Sequence, residues 1–366
     1  WINAIIPILI VPYYSVIGGW VIKYLVEYLT GHGHALATDG YFSAFISNGV
    51  STELCFIAFS LCTLLIIYAG VRNGIERVSK IMMPILVVLS VIIAVYSVTR
   101  PGALAGVKYF LVPNLDNFSW MTVVAAMGQM FYSLSIAMGI LVTFGSYMKK
   151  DVSIEESTKN VEIFDTAIAI MAGLMIIPAV FAFSGGDPDT LQAGPALMFI
   201  TIPKVFDSMG GGQFGQIVGA LFFLLVLFAA LTSAISLMET VVSIVIDKFH
   251  VKRAVACIIV FIGMMLLALP SSLGNGVWSH IQILGMDFLT FFDFISNSVI
   301  MPIVALLTCI FIGYVVKTQL VVDEVKSSSK FSREKLFVVV IKYIAPIFIV
   351  AILVSSVLSG LGIITI

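Results

Sequence analysis

The chain has little charge. Only 11% of its 366 residues are Asp, Glu, Lys or Arg, where a soluble domain carries about 25%. A net charge of −1 and a pI near 6.5 exclude the basic surface that nucleic acid or an anionic partner would need. Cysteine and histidine are also scarce, with four of each. Cys55, Cys62, Cys257 and Cys309 fall inside apolar runs, at spacings that fit neither a metal site nor a disulfide framework, and read as small buried hydrophobes. His32, His34, His250 and His280 sit between or at the ends of those runs, and no His-Glu-x-x-His is present. The Gly31-His32-Gly33-His34 stretch offers two imidazoles and no third ligand, so it reads as solvated loop. No glycine-lysine phosphate loop exists, and Ser184-Gly185-Gly186-Asp187 lacks a second intramembrane aspartate, so neither ATP hydrolysis nor an aspartyl protease is expected. No basic segment precedes the first apolar run, so a signal peptide is not expected. Residue 1 is Trp and already lies in that run, which reads as a start downstream of the native N-terminus.

Apolar surface is abundant instead: 60% of residues are hydrophobic and mean hydropathy is +1.12. Crossing about 30 Å of hydrocarbon takes about 20 apolar residues. Nine runs qualify, at 1–28, 53–71, 81–99, 121–147, 163–184, 214–246, 254–271, 291–316 and 336–361. The fourth and sixth are long enough to be tilted or interrupted. Lipid offers the backbone no hydrogen-bond partners, so these are helices. The expectation is an all-α polytopic membrane protein, with residues 1–366 as one transmembrane domain. Alternate connections hold Arg72, Arg77, Lys80, Lys149, Lys150, Lys159, Lys248, Lys252, Arg253, Lys317, Lys326, Lys330, Arg333 and Lys335, which is 14 of the 19 Lys and Arg. The positive-inside rule places that side in the cytoplasm. In the outer connection 185–213, Pro195 to Phe206 reads as short helices capping a vestibule.

Polar residues within spans are costly and mark function. In the fourth span, Ser133 and Ser135, followed by the small residues Ala137 and Gly139, interrupt an apolar helix midway. Such a segment can unwind, freeing carbonyls for a cation and N–H groups for an anion; a small-residue packing face is the alternative. In the sixth span, Thr232 and Ser233 offer hydroxyls one turn after the Ala229 carbonyl, hard ligands suited to Na⁺, unless the hydroxyls bond back to their own helix. Asp165 lies near the cytoplasmic end of the fifth span, and Glu239, Asp247 and Asp293 are further lone acids at span ends.

Together these features resemble the neurotransmitter:sodium symporter family, in its bacterial amino-acid transporter branch. The likeness rests on Tyr13-Tyr14 with Trp20, and on Gly74-Ile75-Glu76-Arg77-x-x-Lys80 with Pro84. It continues through Gly128-Gln129 to Gly139, Gly194-Pro195-Ala196-Leu197 with Pro203 to Phe206, Ala229 to Ser233, and Pro270 to Leu273. Six motifs in order are specific where each alone is weak. The resemblance implies the LeuT-type inverted-repeat fold, with these nine helices equivalent to the family's third to eleventh. A chain without the first two helices would lack half of each sodium shell, and transport by such a fragment is not expected.

The resemblance also assigns residues. One sodium ion would take the Ala229 carbonyl and the Thr232 and Ser233 hydroxyls; a second would take Ser133 and Asp165. Many relatives carry Asn where Asp165 stands. An acid there supplies the negative charge that chloride gives elsewhere in the family, which makes chloride unnecessary. The substrate pocket would be lined by Ile10, Tyr14, Tyr132, Ser135, Met138, Ser233 and Leu237, with Tyr14 on the substrate carboxylate and Tyr132 as a lid. Asp293 would be the outer gate acid, ahead of Asp287. Asp247 and Tyr147 would belong to the inner gate, while Glu239 stands where an uncharged residue is expected and has no assigned role.

The implied function is sodium-coupled symport of an amino acid, large and hydrophobic or aromatic given the apolar lining and the adaptable Met138. Its partners are the amino acid, Na⁺ and the lipid of the cell membrane, with no nucleic acid. Proton-coupled or other-solute transport on the same fold would show as sodium-free uptake. A channel or sensor would not accumulate solute against a gradient.

Overall fold

The computed structural model describes residues 2–115, 118–187, 194–208 and 213–364. Helix α1 (Ile2–Leu29) leads through the short α2 (Gly33–Leu36) and α3 (Tyr41–Ser47) into α4 (Gly49–Tyr68). A π-helical turn, Val71–Glu76, opens α5 (Arg77–Val98), and α6 (Ala103–Leu111) follows. Next come α7 (Trp120–Ser133), α8 (Ile140–Ser146) and α9 (Ile154–Ser184). In the outer connection, α10 (Gly194–Ala196), a π turn (Leu197–Thr201) and α11 (Ile202–Ser208) run without interruption. The long α12 (Gln213–Phe249) and α13 (Arg253–Leu273) precede α14 (Phe288–Asp293), which continues through a π turn (Phe294–Ile300) into α15 (Met301–Ile310) and a further π turn (Phe311–Val315). The chain closes with α16 (Thr318–Ser328), then α17 (Glu334–Val339), which a π turn (Val340–Ile344) joins to α18 (Ala345–Gly360).

Among the described residues, eight unbroken helices are long and apolar enough to cross a membrane. They match eight of the nine expected spans. The remaining span, expected at 121–147, is α7 and α8 separated by a break, so its interruption is a feature of the fold. Residues 188–193 and 209–212 of the outer connection and Trp1 lie outside the described residues.

Burial separates a core from a lipid-facing periphery. In the α1 span 67% of the most apolar window is buried, against 11% for the last span. Helix α1 packs on α12, α4 and α13, and so runs through the middle of the bundle. At one level Trp20, Tyr24 and Tyr28 of α1 meet Phe199, Phe206 and Phe223, and at the other Ile6, Ile10 and Tyr13 meet Met138, Ile235 and Met238. The Tyr24 hydroxyl donates to the Phe199 carbonyl at 2.8 Å, which pins the Gly194–Ser208 helix onto α1 as the capping expectation required. One cysteine expectation needs correcting: Cys257 and Cys309 are buried, but Cys55 is half-buried and Cys62 exposed. A thiol faces lipid with little penalty, so burial was not needed to keep it from water.

Small residues let α1 and α4 approach closely, as membrane helices require where apolar burial gives no driving force. A Cβ on Gly19 would lie 2.6 Å from the Phe56 backbone nitrogen. Gly19→Val should therefore lower thermal stability in detergent by about 1–3 kcal/mol, the usual cost of overpacking. Gly263→Ala, with no atom within 4 Å of the new Cβ, should leave the melting profile unchanged or slightly raised.

Candidate functional site

The break between α7 and α8 builds the site. Helix α7 ends at Ser133, and the next residues leave helical conformation: φ is 54° at Ser135, 64° at Ala137 and 80° at Gly139. Left-handed backbone at a non-glycine residue costs about 1 kcal/mol or more, and two such residues in succession mark a segment held by its surroundings. The small Ser135 and Ala137 tolerate it, and Gly139 resets the chain as the residue that precedes α8. Short turn bonds replace the helical ladder: Ser135 N donates to the Tyr132 carbonyl at 3.0 Å and Ile136 N to Phe131 at 3.2 Å. The C-terminal carbonyl end of α7 and the N-terminal N–H end of α8 therefore face one another within the span. They carry partial charges of opposite sign.

A cavity of about 400 Å³ opens beside this break. All seven residues expected to line a substrate pocket border it: Ile10 and Tyr14 from α1, Tyr132, Ser135 and Met138 from the broken segment, and Ser233 and Leu237 from α12. Ser133 and Thr232 border it too, together with Ile75 of the π turn and Ser79 and Met83 of α5, which the sequence did not mark as cavity-lining. Ile75 and Ser79 fall in the basic connection between two expected spans and Met83 in an apolar run, with no local signal that they face a cavity.

The expected ion ligands divide. The Ser133 hydroxyl donates to Asp165 Oδ1 at 2.5 Å, which joins the broken segment to the middle of α9 and gives that carboxylate a partner. The Thr232 hydroxyl turns back on its own helix, at 3.0 Å from the carbonyls of both Phe228 and Ala229. Its oxygen keeps lone pairs to offer a cation, while the Ala229 carbonyl already accepts that hydroxyl and does not border the cavity.

The gates also divide. Asp293 is held by the Tyr13 hydroxyl at 3.0 Å and by Asn297 Nδ2 at 2.6 Å. Asp287 instead caps α14, accepting from Thr290 N at 3.0 Å. On the basic side the grouping differs from expectation. Tyr147 donates to Glu239 Oε1 at 2.8 Å, not to Asp247. Glu239 is fully buried, and Arg253 donates to both of its oxygens, at 2.9 and 2.5 Å, while also reaching the Ile67 carbonyl. Its cation opens α13, 14 residues on in sequence and opposite in space. Asp247 borders a separate groove of about 380 Å³ with Asn3, Thr143 and Thr240. In the outer connection, His34 Nδ1 lies 2.8 Å from Asp207 Oδ1, so this histidine is solvated and also paired. Lys204, hydrogen-bonded to Asp39 at 2.5 Å, holds that carboxyl below the usual range.

Comparison with known proteins gives a consistent set of relatives. The sodium:neurotransmitter symporter family model matches residues 42–361. An uncharacterized sodium-dependent transporter of Bacillus subtilis, YhdH, is 33% identical over 96% of this chain and 77% of its own length. An uncharacterized sodium-dependent transporter of Haemophilus influenzae is 32% identical over 95% of this chain and 76% of its own. Among solved structures, MhsT in complex with L-phenylalanine superposes with a TM-score of 0.83 at 36% identity, covering 97% of this chain and 80% of that one.

The Glu239–Arg253 pair makes a direct prediction. Removing one partner of a buried ion pair leaves an uncompensated charge, at a cost of about 3–5 kcal/mol. Arg253→Met should sharply lower thermal stability in detergent, and adding Glu239→Gln to it should restore most of the loss.

Proposed function

The chain belongs to the sodium:neurotransmitter symporter family, and from that premise we propose that it carries a large hydrophobic or aromatic amino acid with sodium ions by alternating access. It is a multi-pass membrane transporter of the LeuT-type fold, not an enzyme. The observation that carries the substrate reading is that all seven residues the resemblance assigned to the pocket border one cavity at the helix break. Its walls combine Ile10, Met138 and Leu237 with the hydroxyls of Tyr14, Ser135 and Ser233. Such a lining accepts an apolar side chain at one end and fixes polar groups at the other. The complex of MhsT with L-phenylalanine, a protein of the same family and fold, supports the same class of substrate.

In this mechanism the substrate carboxylate meets the Tyr14 hydroxyl and the N–H end of the break, where the helix dipole favours an anion. Its side chain lies against Met138, and Tyr132 covers it. Thr232 and Ser233 face one sodium ion, and Ser133 with Asp165 the other. Binding of ions and substrate stabilises the closed arrangement, and the bundle then opens to the cytoplasm. Each sodium charge that moves inward adds about 2.3 kcal/mol per 100 mV of membrane potential. Asp165 brings its own negative charge to its site, so chloride is not required.

Uptake of labelled phenylalanine and leucine into proteoliposomes, with the transporter expressed from its complete reading frame, tests this. Accumulation should need an inward sodium gradient and survive replacement of chloride by gluconate. Thr232→Ala and Ser233→Ala should each raise the sodium concentration for half-maximal uptake by about tenfold, the scale of one contact to a charged group. Asp165→Asn should make uptake chloride-dependent. Sodium-independent uptake, or wild-type uptake that stops without chloride, contradicts the assignment.

A further inference from the structure

Beside Asp293, the structure contains a residue that no sequence motif singled out. Asn297 lies four positions on, in the π turn Phe294–Ile300, and its Nδ2 donates twice: to Asp293 Oδ1 at 2.6 Å and to the Tyr13 hydroxyl oxygen at 3.0 Å. The Tyr13 hydroxyl in turn donates to Asp293 Oδ1 at 3.0 Å. The three side chains form a closed ring linking α1 to the junction of α14 and the π turn. Both N–H groups of the carboxamide and the single phenol proton are used within it. Ser296, the neighbouring hydroxyl, donates to the Phe292 and Asp293 carbonyls. All bonds to the carboxylate converge on Oδ1, so Oδ2 lies outside the ring. Asn297 Oδ1 is buried and has no partner among the described residues.

We propose that Asn297 is the positioning residue of the Asp293 gate: its carboxamide locks the carboxylate rotamer against Tyr13 and leaves Oδ2, with its own orphan Oδ1, as two acceptors for the cation that closes the gate. This rests on the transport reading only in taking Asp293 as a gate. A carboxylate in an apolar span needs donors to stay in place. Of the two donors described here, Tyr13 comes from another helix, and only Asn297 travels with Asp293. The carboxamide therefore holds the gate acid in place whether or not the Tyr13 contact is made.

The test measures access to the cavity, which needs no substrate. In the full-length transporter with its native cysteines replaced by serine, Ser135→Cys is modified in sodium by a membrane-impermeant thiol reagent added outside. Asn297→Leu should speed modification about tenfold, the scale of one hydrogen bond to a charged group. Asp293→Asn should do the same, and the double variant should react no faster than either single one. Asn297→Asp, which keeps size but loses the donor, should match Asn297→Leu and guards against misfolding of the larger change. Unchanged rates in both Asn297 variants, or effects that multiply in the double variant, overturn the proposal. Labelled-phenylalanine uptake run in parallel judges the transport reading separately, since its failure leaves the accessibility result intact.

Discussion

A polypeptide in hydrocarbon must satisfy its own backbone, and this constraint governs everything else in the structure. Eight spans meet it by staying helical from end to end. The segment from Leu134 to Gly139 does not, and it lies inside the bundle between α1 and α12, not against lipid. Its position explains its survival. Turn bonds from Ser135 and Ile136 recover part of the ladder, and the groups left over lie beside the cavity. The same unwinding that would be ruinous at the periphery supplies carbonyl and N–H ends without adding a charged residue.

The few charges within spans follow the same logic. Three acids there have nearby donors: Asp165 has the Ser133 hydroxyl, Asp293 has Tyr13 and Asn297, and Glu239 has Tyr147 and Arg253. These contacts join different helices, so they act as cross-links between elements of the bundle. Asp165 joins α9 to the break, Asp293 joins α1 to α14, and Glu239 joins α12 to α13 and to the end of α8. A fixed hydrophobic contact would serve stability equally well. A hydrogen-bonded acid adds a contact that an arriving ion can replace.

Most of the span pattern was legible in the sequence because hydropathy reports lipid exposure directly. The break was legible for a different reason: Ser133, Ser135, Ala137 and Gly139 place small and polar residues where an apolar helix would continue. What could not be read was partnership across space. Glu239 looked anomalous because its cation, Arg253, begins another helix and is indistinguishable in sequence from a basic loop residue. Asn297 carried no signal, since a lone amide in an apolar run reads equally as packing or as a site. Ile75 of the π turn and Ser79 and Met83 of α5 face the cavity only because of how that segment is rotated, which hydropathy alone does not determine. Thr232 could not be read fully either: its type suggested an ion ligand, and its hydroxyl proton is given to its own helix while its oxygen keeps lone pairs.

The account depends on the cavity at the helix break being the place where amino acid and sodium meet. Equilibrium binding of labelled L-phenylalanine to the purified full-length transporter, titrated with Na⁺ at constant ionic strength, tests that most directly when wild type is compared with Ser135→Trp. The account predicts saturable binding in Na⁺, none in K⁺, and loss of binding in a folded Ser135→Trp protein whose cavity is filled. Binding that is indifferent to sodium, or that persists when the cavity is filled, would contradict it.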